Sequence, residues 1–152
     1  MVDHQVRYFE DYAEGVAVDC GEVMFDEASM IAFAKEYDPQ PFHTDPVTAA
    51  EGPYGGLIAS GWHTAASLMR LLVENYLSAE SSLGSPGIEN LHWYAPVRPG
   101  DTLSVRVTVL SARSSRSKPD RGIVTSLIEA VNQNDTKVLD LTATNFVLTR
   151  PS

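Results

Sequence analysis

The sequence has a single cysteine and no long apolar run. Cys20 is the only cysteine among 152 residues, so no disulfide can form within the chain. A protein without disulfides suits a reducing compartment, and we expect a cytoplasmic location. No stretch of about 18 apolar residues is present, and the polar N-terminus lacks an apolar signal core, so we expect no membrane association.

Basic residues are also scarce, at 11 Lys and Arg against 20 Asp and Glu, which gives a formal net charge of -9. Nucleic-acid binding usually depends on a basic face that neutralises phosphates, so it is not expected. Several bases nevertheless cluster within residues 98–121. The cluster is interpreted either as solvated strand and loop positions or as a site for a phosphorylated carrier such as coenzyme A. Its members are Arg98, Arg106, Arg113, Arg116, Lys118 and Arg121.

Several common site patterns are missing. No Gly-x-Ser-x-Gly surrounds Ser60, and no glycine-rich phosphate loop with its lysine is present, which argues against a serine hydrolase and a nucleotide-phosphate site. His43 and Asp45 could pair as metal ligands, but Asp45 is better interpreted as a helix cap. The remaining histidines are not spaced as a metal set: His4, His63 and His92. We therefore expect neither a metal nor a cofactor.

The residue patterns predict an α+β fold in one domain that spans residues 1–152. Asp26 can cap a helix over 27–37, which must end near Asp38 because prolines follow. A long helix is predicted over 60–77, with an apolar stripe wide enough to bury it on most sides. This order of elements predicts an antiparallel sheet wrapped around the long helix. The strands are predicted within 7–25 and over 88–97, 103–114, 123–132 and 138–148.

The segment 38–61 carries the candidates for chemistry. It is rich in proline and glycine, and long irregular segments in compact domains are often functional. Asp38 and His43 are five residues apart and do not share a helix face, but the stiff prolines around them can hold both in a fixed relation. A carboxylate and an imidazole suit general acid–base chemistry at neutral pH. A capping aspartate and a structural histidine would give the same pattern.

The predicted long helix begins at Ser60, Gly61 and Trp62. Free backbone amides at a helix start can bind an anion, and Gly61 lets another group approach the backbone closely. The Gly61 amide is therefore a candidate donor to an oxyanion. A helix capped by Ser60, with Gly61 present only for packing, is the alternative.

Together these stretches resemble the MaoC-like dehydratases and (R)-specific enoyl-CoA hydratases, a family with the hot-dog fold. The family pattern is Gly-Asp-x-Asn-Pro-x-His, followed by a glycine that opens the central helix. Asp38, Pro41 and His43 match the first part, and Gly61 stands at the right distance from His43. The segment WYAPVRPGDTL at 93–103 is similar to the aromatic-x-x-Pro-Val-x-Pro-Gly-Asp strand and turn of the family.

The resemblance implies a function as well as a fold. Asp38 and His43 would activate one water, the Gly61 amide would polarise a thioester carbonyl, and Ser60 and Trp62 would contact the substrate. The implied reaction is hydration of a trans-2-enoyl thioester or, in reverse, dehydration of an (R)-3-hydroxyacyl thioester. The acyl group would be carried on coenzyme A or on a carrier protein. A homodimer is also implied, with the acyl tunnel near the subunit interface.

Three positions depart from the family pattern. Tyr37 replaces the glycine, Gln40 replaces the asparagine, and Ser60 stands where a histidine often precedes the helix glycine. These departures leave the pair of Asp38 and His43 intact but change the residues around it. Two other functions therefore stay open. One is a hot-dog thioesterase that hydrolyses acyl-CoA, and the other is a non-catalytic module that binds acyl thioesters.

Overall fold

A computed structural model describes residues 5–152 of the chain. Its helices are α1 (Glu27–Tyr37), α2 (Pro41–Thr44), α3 (Pro46–Glu51) and α4 (Gly61–Asn75). Its strands are β1 (Ala17–Met24), β2 (Gly87–Trp93), β3 (Thr102–Ser114), β4 (Arg121–Val131) and β5 (Lys137–Leu148). None of the helices in this part of the chain is both long and apolar enough to cross a membrane.

The five strands form one antiparallel sheet in the order β1-β3-β4-β5-β2. A turn around Asn134 joins β4 to β5, between the two strands predicted there. The side-chain oxygen of Asn132 accepts hydrogen bonds from the backbone amides of Asn134 at 2.9 Å and Thr136 at 3.1 Å. Such a side-chain contact replaces a backbone turn bond, which explains why the chain reverses here.

Aspartate caps set the starts of two helices, as predicted. Asp26 accepts the Ser29 amide at 2.8 Å at the start of α1. Asp45 accepts the amide of Val47 at 3.0 Å at the start of α3, where Pro46 occupies the first helical position. These side chains satisfy amides that have no partner inside a helix. The helix that Asp45 caps is thus confirmed, and the segment 38–61 contains one further short helix, α2, in a part interpreted from the sequence as irregular.

The core lies between one face of the sheet and α4. Alternate residues of β3, such as Val105 and Val107, are buried on this face, and Ile128 of β4 joins them. From the helix, Leu68 and Leu72 complete the same cluster. An antiparallel sheet wrapped on one long helix is the α+β hot-dog arrangement that the sequence predicts.

One prediction about α4 is wrong for the single chain. The helix is not buried on most sides, because Trp62, Met69 and Val73 are 58%, 47% and 54% exposed. The helix makes its closest packing with β1, at one edge of the sheet, and residues 5–152 cover its opposite flank only in part. It also starts one residue later than predicted, because Ser60 is its cap rather than its first turn.

Two strand predictions are too long. The region 7–25 yields only β1, preceded by a 3₁₀ turn at Phe9–Asp11. Strand β2 ends at Trp93 instead of Val97. The carbonyl of Val97 accepts the amide of Ala59 at 2.8 Å, and Pro96 has no amide to continue a ladder. The amide of Tyr94 still donates to the Val138 carbonyl of β5 at 2.7 Å, and the segment 95–97 then leaves the sheet and runs beside the start of α4.

Candidate active site

Asp38 and His43 meet although they belong to different elements. Asp38 is the residue after the last turn of α1, and His43 lies in α2, which starts at Pro41. The Nε2 atom of His43 is 3.2 Å from Oδ2 of Asp38. The side chains are 7% and 18% exposed, so the pair is largely shielded from solvent but still reachable.

A backbone carbonyl fixes the orientation of the His43 ring. Nδ1 lies 2.8 Å from the carbonyl oxygen of Ile58. A carbonyl oxygen only accepts hydrogen bonds, so this contact assigns the proton of neutral His43 to Nδ1. Nε2 then presents a lone pair toward the carboxylate of Asp38. Two acceptors at 3.2 Å do not satisfy each other, so the two atoms can together receive hydrogen bonds from one donor molecule that lies beside both.

Two donors hold the carboxylate of Asp38. The Ser60 hydroxyl donates to Oδ2 at 2.7 Å, and the Gln40 amide donates to Oδ1 at 2.7 Å. Burial raises the pKa of Asp38, but these hydrogen bonds and the nearby His43 outweigh it, and the pKa lies below its ordinary value of 3.8. Asp38 is therefore ionised at neutral pH and can accept a proton. Gln40, which departs from the family pattern, keeps an amide donor at this position.

Ser60 and Gly61 place the start of α4 beside this pair. Ser60 is fully buried and caps the helix by accepting the Trp62 amide at 3.3 Å. Its hydroxyl donates to Asp38. Of the two residues expected to contact substrate, Trp62 lines the neighbouring cleft and Ser60 does not. Gly61 is the first residue of α4, and its amide has no hydrogen-bond acceptor within residues 5–152. That amide is free to donate to an incoming oxygen.

The indole of Trp93 covers Gly61. Its Nε1–H donates to the Gly61 carbonyl at 3.0 Å. A β-carbon at position 61 would lie 2.6 Å from Cε2 of this ring, which is closer than real contacts allow. From the sequence, a glycine can be explained at the start of a helix. The sequence does not show that the ring of a residue 32 positions later occupies the space a β-carbon would need. Trp93, the first residue of the motif at 93–103, thus belongs to the site.

These residues surround an open cleft of about 420 Å³. Asp38 and His43 lie on one side of it, and Gly61 lies on the same wall as Trp62. Most of the remaining lining is aromatic or apolar: Phe42, Tyr54, Ile58, Trp93, Tyr94 and Val97. A mostly apolar cleft with a few polar groups on one side is typical of a site for an organic ligand.

A second cleft, of about 240 Å³, follows α4 away from Gly61 and is described here as the apolar groove. It begins at Ala65, the residue after Thr64 of the first cleft. Helix α4 forms one wall, strands β2, β4 and β5 form the opposite wall, and the segment 76–85 closes the far end. Its apolar lining includes Leu68, Met69, Leu72, Ile88, Ile128, Leu141 and Ala143. The two clefts thus succeed each other along the same flank of the helix.

The basic cluster of the sequence does not form one site. Arg98 lies beside the first cleft and donates to the Tyr54 carbonyl at 2.6 Å. Arg106 lines a separate cleft on the outer face of the sheet, and Arg121 pairs with Asp120 at 2.8 Å. The other three lie at the far end of β3 and in the hairpin that follows it, about 40 Å from its start at 3.3–3.4 Å per residue.

The other histidines take no part in this site. His63 packs between Phe25 and Phe33, and the Phe33 ring is stacked on it at 4.8 Å. His92 is exposed on β2, and His4 lies outside the described residues. Within residues 5–152 no three His, Cys, Asp or Glu side chains are grouped as metal ligands would be.

The chain matches a known protein family. A family model described as a MaoC like domain matches residues 12–132. This range contains the two segments of the candidate site, 38–61 and 93–97. The protein YdeM of Bacillus subtilis is 32% identical to this chain over 111 residues, which cover 73% of this chain and 77% of YdeM.

Solved structures with the same architecture include a MaoC-like dehydratase from Rhodospirillum rubrum. It is 44% identical, with a TM-score of 0.88, and the match covers 96% of this chain and 99% of that one. An (R)-hydratase from A. caviae involved in PHA biosynthesis is 25% identical, with a TM-score of 0.72, and the match covers 90% of this chain and 96% of the hydratase.

Proposed function

This chain belongs to the family of proteins with a MaoC-like domain, and we propose that it adds water to the double bond of trans-2-enoyl thioesters. In reverse it would dehydrate (R)-3-hydroxyacyl thioesters. The family and the likeness to an (R)-hydratase support a hydratase or dehydratase in general. The observation that carries the specific proposal is the 3.2 Å approach of His43 Nε2 to Asp38 Oδ2 beside the free amide of Gly61.

The pair is arranged to hold one water molecule. With Asp38 ionised and the proton of His43 on Nδ1, both facing atoms accept hydrogen bonds, and a water molecule can donate one hydrogen to each. The same two groups can take a proton from that water as its oxygen bonds to the β-carbon. Either Asp38 or His43 then holds the proton that is delivered to the α-carbon.

Gly61 would act on the other end of the conjugated system. As the water oxygen adds to the β-carbon, the electron pair of the double bond moves toward the thioester carbonyl, and its oxygen gains negative charge. The Gly61 amide donates to this oxygen, and the start of α4 adds a favourable dipole. Protonation of the α-carbon restores the carbonyl. One water is consumed, one carbon–carbon double bond becomes single, and the thioester stays intact.

We place the acyl chain in the apolar groove along α4, with the thioester at Gly61. The groove continues from the first cleft along the helix, and its lining suits an alkyl chain. The carrier, coenzyme A or a carrier protein, would then leave through the open mouth near Tyr54 and Arg98. Arg98 would be the basic residue closest to its phosphates, since the other basic residues of the cluster lie elsewhere.

A homodimer would cover the exposed flank of α4. Trp62, Met69 and Val73 lie on the helix, and Ile88 on the neighbouring edge strand β2 is 50% exposed. An exposed apolar strip beside an unpaired strand edge is unusual in a monomer. Val73→Glu should reduce the mass measured by light scattering to that of one chain. Met24→Glu, at the opposite edge on β1, is the control and should leave the mass unchanged. An unaltered mass for Val73→Glu would remove this interface.

One assay separates the candidate functions. Purified protein is mixed with crotonyl-CoA and longer trans-2-enoyl-CoAs, while loss of enoyl absorbance and release of free thiol are followed together. Loss of absorbance without thiol, with an (R)-3-hydroxyacyl product on chiral analysis, supports the hydratase. Thiol release supports a thioesterase, and binding without either signal supports a non-catalytic module. We also propose that residues 1–152 form a single hot-dog domain that works in the cytoplasm, in keeping with the lone buried Cys20.

A further inference from the structure

Asn145 occupies a core-facing position on β5. Side chains along a strand alternate between the two faces of a sheet, so Asn145 shares its face with Leu141, Ala143 and Val147. Those three side chains are buried, at 8%, 8% and 1% exposure. The side-chain amide of Asn145 interrupts this otherwise apolar row.

The side-chain amide of Asn145 has no hydrogen-bond partner within residues 5–152, and it lines the apolar groove. Of the other polar side chains at this end of the groove, those of Tyr76 and Ser85 are paired, whereas the hydroxyl of Ser82 has no hydrogen-bond partner within residues 5–152. The Tyr76 hydroxyl lies 2.5 Å from Oγ of Ser126, and Ser85 donates to the Gly87 carbonyl at 2.9 Å. Asn145 is only half-buried, so solvent reaches its amide in the free protein, and a polar group of a ligand in the groove can replace that solvent.

The position of Asn145 fixes which part of a ligand it can reach. Leu139 pairs with Trp93, whose ring covers Gly61, and Asn145 lies six residues further along β5 on the same face. At 3.3–3.4 Å per residue this is about 20 Å from the level of Gly61. An extended chain advances about 1.2 Å per bond, so the amide faces an atom on the order of ten to sixteen bonds from the thioester.

We propose that Asn145 binds a neutral polar group on the distal part of the acyl chain, such as a hydroxyl or a carbonyl. This inference rests on the proposed function, because it takes the apolar groove as the acyl site. A neutral group is favoured over a carboxylate or an amine because no Asp, Glu, Lys, Arg or His lines the groove. An asparagine amide offers both donors and an acceptor, which suits a hydroxyl or a carbonyl equally.

The test compares pairs of trans-2-enoyl-CoAs of equal length, one ending in a methyl group and one in a hydroxymethyl group, over about eight to sixteen carbons. At the matching length, the native protein should favour the hydroxylated substrate by about 10-fold in kcat/KM, the size of one net hydrogen bond. Asn145→Leu keeps the side-chain shape and should abolish or invert this preference. Thr144→Val, on the opposite face of β5, is the matched control and should retain it.

A native protein that prefers the methyl-ended substrate at every length would overturn the inference, and so would an Asn145→Leu variant with unchanged preference. In either case hydration of simple enoyl-CoAs would still support the proposed function. If no enoyl-CoA is hydrated, the same comparison is made by calorimetry with saturated acyl-CoAs and their terminal hydroxyl analogues, which needs no turnover. Tighter binding of the hydroxylated ligand, lost in Asn145→Leu, supports the inference even then, and equal binding removes it.

Thermal unfolding without ligand gives an independent measurement. Because Asn145 has no partner in the protein, Asn145→Leu should unfold at the same temperature as the native protein or higher. A drop of several degrees would show that the amide stabilises the fold itself, and the ligand role would be withdrawn.

Discussion

Trp93 and Gly61 are mutually constrained: the indole donates to the Gly61 carbonyl at 3.0 Å and fills the space that a β-carbon would need. We therefore expect Gly61→Ala to displace either the ring or the first turn of α4. Crowding of this kind typically costs about 1–3 kcal/mol of stability. It should also lower kcat/KM by about 10-fold or more, because the proposed oxyanion donor moves.

The companion variant is Gly61→Ala combined with Trp93→Leu. Removing the ring makes room for the methyl group, so the double variant should recover much of the unfolding temperature and part of the activity lost in Gly61→Ala alone. A double variant no more stable than the single one would show that Trp93 is not what restricts position 61.

The second prediction concerns the pair itself. Asp38→Asn and His43→Ala should each lower turnover of enoyl-CoA by about 10²-fold or more, the size expected for a lost acid–base group. Asp45→Asn is the control, because it makes the same carboxylate-to-amide change at a helix cap where asparagine serves equally well. Near-native rates in either site variant, with native unfolding temperatures, would defeat the catalytic proposal.

The third prediction follows from the contact between Ser60 and Asp38. The Ser60 hydroxyl is one of the hydrogen-bond donors that keep the pKa of Asp38 below its ordinary value, so Ser60→Ala should raise that pKa. Activity that depends on ionised Asp38 is lost as the pH falls through this pKa. The acid limb of the pH profile of kcat/KM should therefore move to higher pH in Ser60→Ala. Ser67→Ala, a substitution further along α4, should leave that limb in place.

The fourth prediction concerns stability at acidic pH. His63 lies between two phenylalanine rings, and its Nδ1 is buried without a partner. Burial lowers the pKa of His63 below its ordinary value of 6.5, and the charge of Asp26 offsets only part of this. Below pH 6.5 the unfolded chain therefore binds more protons at this residue than the folded protein does, and stability falls as the pH falls.

His63→Phe keeps an aromatic ring in this stack. We expect it to remove the part of the acid-dependent loss of stability that comes from His63. The unfolding temperature of the native protein should drop more between about pH 7.5 and about pH 5.5 than that of the variant, by about 2–4 °C. Calorimetry at both pH values measures the difference. Equal drops would mean that His63 is already protonated in the fold or that it does not respond in this range.

The sequence predicts well those parts of the fold that depend on neighbouring residues. Asp26 and Asp45 cap helices, and Asn132–Thr136 turns the chain, because each uses side chains within a few residues of the amides they satisfy. The end of β2 could not be predicted in the same way. The segment after Tyr94 leaves the sheet because Val97 accepts the amide of Ala59, a contact across almost forty residues of sequence.

In the candidate site, too, features that depend on neighbouring residues could be predicted and contacts between distant residues could not. Asp38, His43 and Gly61 were identified because they lie in two short motifs. The role of Ser60 as a helix cap was visible, but its second contact with Asp38, 22 residues earlier, was not. For Asn145 a signal did exist in the alternation of Leu139, Leu141 and Ala143, which an amide interrupts. The exposure of one flank of α4 could not be predicted, because periodicity shows that a helix face is apolar but not what covers it.

The groups proposed to react all come from one short stretch, residues 38–61 of a single chain. Each subunit in a proposed dimer would then carry a complete set of reacting groups, and its partner would only cover the exposed flank of α4. A mixed dimer of one native and one Asp38→Asn subunit should keep about half of the native rate, since the wild-type half works alone. Over evolutionary time, such independence would let a duplicated copy lose its chemistry and survive purely as scaffolding.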